Sequence, residues 1–132
     1  MKPWSWDVKN RVEIIAVLLM AFVVVFSLLP AHALPQLPAG DKLLHFTAYA
    51  AIALFAFLTP RTLRRSLTIL IGIVLLSVAI EFAQTHVHRT LELADIFANA
   101  AGVVFGFCTA SLTLWVWSQL SAKITLGEVS QN

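Results

Sequence analysis

The sequence predicts an all-α polytopic membrane protein, a bundle of about four transmembrane helices with both termini cytoplasmic. Three observations predict it. Hydrophobic residues make up 59% of the chain and charged residues only 12%, with a mean hydropathy of +0.84. A soluble domain carries about a quarter charged residues, so this chain lacks the polar side chains to cover its own surface, and lipid must solvate much of it. Four apolar runs approach or reach the length, about 17–25 residues, that a helix needs to cross a hydrocarbon core about 30 Å thick. The basic residues gather in alternate connections between those runs.

The first run extends from Val12 to Leu29, interrupted near its start by Glu13. Pro30, Pro35 and Pro38 then break the chain. The second run spans Leu43 to Thr59 and is ended by Pro60. The third covers Leu67 to Phe82, and the fourth Ile96 to Trp117. No internal repeat, glycine-rich loop or low-complexity tract divides the chain, so residues 1–132 read as one domain. Lys2, Lys9, Arg11, Arg61, Arg64, Arg65 and Lys123 flank one side of these spans, against only Lys42 and Arg89 on the other. Basic residues favour the cytoplasmic side, which sets both termini inside. Trp4, Trp6, Trp115 and Trp117 then fall near the cytoplasmic interface, where indole rings prefer to sit. Lys2–Arg11, the apolar stretch after it and Ala31-His32-Ala33 also match a secretory signal with a cleavage site. The stretch is long enough to span, and we expect it to stay as the first helix.

The same composition excludes several classes. Cys108 is the single cysteine, so no intrachain disulfide framework or cysteine-based metal site can form. The basic residues are too few and too scattered for nucleic acid, despite a pI near 9.0. No cofactor motif is present.

Charges at or inside membrane helices are costly, about 2.5–3.5 kcal/mol each at the helix centre on insertion scales. Three polar groups therefore stand out, all on the predicted outer side. Asp41, His45 and Tyr49 recur every four residues at the start of the second helix and share one face, with Lys42 beside them. Glu81 closes the third run, and Gln84 lies one turn further on the same face; a carboxylate there needs a partner, with Arg89, His45 and Lys42 as the available cations. Asp95, Asn99, Gly102 and Gly106 form one stripe at the start of the fourth helix. Its glycine half, Gly102-x-x-x-Gly106, permits close helix approach in lipid. His86-Val87-His88 invites a metal reading, but no third ligand accompanies the pair, and the expectation is loop histidines with no metal.

These residues carry a resemblance. Asp41-Lys42-x-x-His45-Phe46-x-x-Tyr49, followed by Glu81-x-x-Gln84, Arg89, Asp95, Asn99 and Gly102, resembles the VanZ-like membrane protein family, from about Leu28 to Phe107 and including the proline-rich linker. Similar proteins often carry a Pro-Gly turn where Thr85-His86-Val87-His88 stands here. The resemblance implies a retained first helix and a multi-pass bacterial protein. The family is named from a member linked to resistance against teicoplanin, a lipoglycopeptide that acts outside the cytoplasmic membrane.

The expected function is a cell-envelope protein in the bacterial inner membrane, binding a polar or lipid-linked ligand at the outer leaflet. Lys42 and Arg89 would contact phosphate or carboxylate groups, while Glu81, Gln84, Asp95 and Asn99 order the pocket. Its partners would be membrane lipid and a lipid-linked envelope precursor or lipoglycopeptide, with self-association left open. The alternatives are an enzyme acting on a lipid head group, with His45 or Glu81 as general base, and a small transporter subunit. No activated serine or cysteine nucleophile supports the enzyme.

Overall fold

The computed structural model describes residues 6–29, 41–87 and 90–129. The proline linker, Ala31-His32-Ala33, Lys2, Trp4, His88 and Arg89 lie outside the described residues. Within them every element is helical: α1 Trp6–Ser27, α2 Asp41–Phe57, α3 Leu63–Gln84 with a short 3-10 turn at Thr85–Val87, and α4 Leu93–Val129.

Each helix differs from its apolar run at the ends, because a run counts only apolar residues while a helix also accepts polar ones. α3 begins four residues before Leu67, where the Thr62 hydroxyl caps it by accepting from the Arg65 amide at 3.4 Å. α2 begins at Asp41 and stops at Phe57, ahead of Pro60, which disfavours helical backbone in the residue before it. α4 departs most: it continues to Val129, well past Trp117, since no proline or glycine interrupts Ser118–Leu126. Three segments are long and apolar enough to cross a membrane, Asp7–Ser27, Leu63–Val87 and Leu93–Ile124. α2 is shorter, at 17 residues.

The helices run up and down. The starts of α2 and α4 meet the end of α3 through His45, Asn99 and Glu81. At the opposite end, Glu13 near the start of α1 meets Arg61, between α2 and α3. α2 and α4 therefore lie parallel, and theirs is the most extensive contact in the molecule. The glycine stripe explains it. A Cβ added at Gly102 would collide with the Phe46 carbonyl oxygen and lie 3.1 Å from the Ala50 nitrogen; one at Gly106 would meet the Ala50 carbonyl and lie 2.8 Å from the Ala53 Cβ. Only hydrogen fits there, so the two backbones touch. Below this contact Ile52, Ala53, Ala56 and Phe57 of α2 pack with Val103 and Ala110 of α4, and the Phe57 and Phe107 rings meet edge to face at 4.9 Å.

The burial pattern inverts that of a soluble domain. Thr59, Ser77, Glu81, Gln84, Asp95 and Asn99 are buried, whereas Val17, Leu75, Phe97 and Phe105 are exposed. Apolar surface of this extent is what lipid covers.

Candidate functional site

The polar site forms where α2, α3 and α4 converge. On α2, the four-residue spacing carries Asp41, His45 and Tyr49 along one face, as expected. His45 is the hub. Its Nδ1 lies 3.0 Å from Asn99 Oδ1 and 3.6 Å from Glu81 Oε1. Its Nε2 faces outward, 3.7 Å from Asp41 Oδ1 and 3.9 Å from Asp95 Oδ2. Asn99 Nδ2 donates in turn to Glu81 Oε1 at 3.5 Å. One residue from each helix thus joins a single chain of contacts, and Glu81 finds His45 among the three cations expected for it.

That chain fixes the amide and the imidazole. A carboxylate can only accept, so the Asn99 NH₂ must face Glu81 and its oxygen must face His45. The His45 nitrogen facing that oxygen is then a donor: Nδ1 carries the proton. Nε2 is left to the two aspartates.

Depth grades the site. Glu81, Gln84 and Asn99 are each 1% exposed, whereas the Asp41 side chain is 57% exposed and marks the mouth. Lys42 stands at that mouth with its Nζ 2.9 Å from Glu92 Oε2 and 3.8 Å from Asp95 Oδ1. The hydrogen bond from Lys42, and then its charge, hold the Glu92 carboxyl below its usual range; the same bond holds the Lys42 ammonium above its own. At this site the Tyr49 hydroxyl, Gln84 Nε2 and Asp95 Oδ1 are buried without a hydrogen-bond partner among the described residues.

Two sets of residues escape the sequence reading. Glu92 sits in the connection before α4 and takes the Lys42 ammonium, while Ser77, buried and bonded to the Val74 carbonyl at 2.8 Å, extends the Glu81–Gln84 face by one turn. Ser77 was detectable, being polar in an apolar run four residues before Glu81. At the far end Arg61, a topology signal in the sequence, turns its side chain inward and serves the structure. Its guanidinium donates to Ala56 O at 2.5 Å, Thr59 Oγ1 at 2.6 Å and Glu13 Oε1 at 2.6 Å, with its side chain only 5% exposed.

The family model described as VanZ/LLP1 matches residues 3–116. The chain belongs to that family. The VanZ/LLP1 match takes in α1 as well as the three site helices, so it extends beyond the polar motifs that carry the resemblance. Together with the three long apolar helices, it makes the chain a VanZ-like membrane protein. Neither a curated protein nor a solved structure matches it.

Proposed function

We propose that this VanZ/LLP1 chain is a four-span protein of the bacterial inner membrane, both termini cytoplasmic, whose α2–α3–α4 cluster binds a polar or lipid-linked ligand at the outer leaflet. The observation that carries the reading is hydrogen-bonding capacity left over in a buried place. Locking three helices together needs only the His45–Asn99–Glu81 chain. The Tyr49 hydroxyl and Gln84 Nε2 lie beyond it, each on a residue 1% exposed and each without a partner among the described residues. Such groups are costly unless something bonds to them.

The ligand would enter past Asp41 and Lys42. Lys42 is engaged by Glu92, so a direct phosphate contact from it requires that bridge to open. The outward placement rests on the distribution of Lys and Arg. A link to glycopeptide resistance follows from the family's name alone and is the outermost part of the proposal.

Native mass spectrometry of gently extracted protein tests it. A lipid or glycolipid adduct is expected on the wild-type chain, lost in Gln84→Leu and Tyr49→Phe. Adducts retained equally by both variants would make the cluster a structural lock.

A second reading, an enzyme acting on a lipid head group, has one observation in its favour. His45 is oriented through Nδ1 and keeps Nε2 toward the mouth, the arrangement of a general base. Turnover of a labelled lipid, abolished by His45→Ala, would favour it over binding.

A further inference from the structure

We infer that Asp41, His45 and Asp95 form a divalent-cation site of zinc or manganese type at the mouth of the cluster. Their ligand atoms all lie within 4.8 Å of one another: two from one face of α2, one from α4. Two atoms bound to one ion at about 2.0–2.2 Å lie within about 4.4 Å of each other. The separations from His45 Nε2 to the two carboxylates, 3.7 and 3.9 Å, fall inside that limit and outside hydrogen-bond range.

The imidazole is turned toward the site. Its Nε2 is the nitrogen turned to the two carboxylates, since Nδ1 lies against Asn99 Oδ1. Its other nitrogen is held as a metal-bound histidine usually is, donating to an oxygen that is itself hydrogen-bonded. Asp95 gives the second, independent observation. Its side chain is only 5% exposed, and its Oδ1 has no hydrogen-bond partner, with Lys42 Nζ the nearest cation at 3.8 Å. Among the described residues the cluster sets four carboxyl groups, Asp41, Glu81, Glu92 and Asp95, around the Lys42 ammonium and the His45 imidazole. One bound dication would offset much of that excess.

Imidazole with two carboxylates suits zinc or manganese better than calcium or magnesium. Three protein ligands leave at least one coordination position open, and exposed Asp41 puts that opening on the mouth side. Resting on the ligand-binding reading, this site supplies what the cluster otherwise lacks: a positive centre for the phosphate or carboxylate of a polar head group. His86 of the loop after α3 is not part of it and contacts Thr85 instead.

The experiment uses the full chain in detergent, stripped with chelator and titrated with Zn²⁺ and, separately, Mn²⁺. One equivalent per chain is expected to survive gel filtration. Asp95→Asn and Asp41→Asn should each weaken binding at least tenfold, while His86→Ala leaves it unchanged. Asp41→Asn lies at the exposed mouth and keeps the core intact, so it reports even if Asp95→Asn fails to fold. Absence of a stoichiometric ion would overturn the site and leave His45 paired directly with its aspartates. Loss of binding in His86→Ala alone would overturn it in favour of the loop. Lipid adducts measured in chelator report on the ligand-binding reading separately, since the zinc titration needs no lipid.

Discussion

Gly102→Ala probes the junction of packing and site, because Gly102 lies one turn below Asn99 on α4. The added methyl would collide with the Phe46 carbonyl oxygen. A comfortable carbon–oxygen contact is about 3.3–3.6 Å, so α2 and α4 would have to part by roughly 1 Å. The His45–Asn99 contact, now 3.0 Å, would stretch past hydrogen-bond range. Overpacking of this kind costs about 1–3 kcal/mol, and the lost hydrogen bond adds about 0.5–1.5 kcal/mol. A destabilisation of about 2–4 kcal/mol is expected, together with loss of whatever the cluster binds. Reversible unfolding of the detergent-solubilised chain, followed by circular dichroism, measures it. Gly72→Ala is the matched control: its new Cβ meets nothing within 4 Å, so it should be neutral or slightly stabilising. If the two variants unfold alike, the close α2–α4 approach is not what holds the site together.

Asn99→Leu leaves His45 and Glu81 without their bridge and should cost about 1–3 kcal/mol by the same unfolding assay, with Asn99→Asp worse because it sets a second carboxylate against Glu81. Arg61→Leu strips the capped carbonyl of Ala56 and leaves Glu13 alone. Since Glu13 is 42% exposed and can turn to water, about 1–3 kcal/mol is expected, of which Arg61→Lys recovers only part. The Lys42–Glu92 bridge predicts a pH dependence. Glu92 is depressed in the folded state, so its contribution is complete above the unfolded carboxyl range and disappears as pH falls through the lower folded value; Glu92→Gln should abolish that acid-side slope in a melting-temperature profile. Cysteine labelling in a Cys108→Ala background should modify His86→Cys from outside and Arg64→Cys only after permeabilisation, and the reverse result would invert the topology.

Helical periodicity made much of this legible. Spacings of four and three along α2 and α4 placed Asp41, His45, Tyr49, Asn99, Gly102 and Gly106 on inward stripes, and the glycines do meet the α2 backbone. Periodicity assigns a residue to a face but not to a depth or a partner. It could not say that α4 stands parallel to α2 at a register that brings Asp95 to His45, which is why no metal set was visible. Nor could it separate Arg61 from Arg64 and Arg65: all three look like topology signals, yet only Arg61 turns back into the protein. Glu92 escaped because it belongs to a connection, where no repeat relates it to Lys42.

The unequal lengths of α2 and α4 have a consequence for the surrounding bilayer. At 1.5 Å per residue, the 17 residues of α2 reach about 26 Å and the 37 of α4 about 55 Å. Both start at the polar cluster, so in the proposed four-span arrangement a hydrocarbon layer of about 30 Å outlasts one and is outrun by the other. Hydrophobic mismatch is thus built into a single pair of touching helices. On the short side the last carbonyls of α2 would end below the lipid surface, and there Arg61 folds inward to cap Ala56. On the long side the end of α4 must tilt or emerge as a rod. A thicker membrane would strain the first arrangement and relieve the second, so the polar cluster at their common origin would sit at a depth that bilayer thickness can adjust.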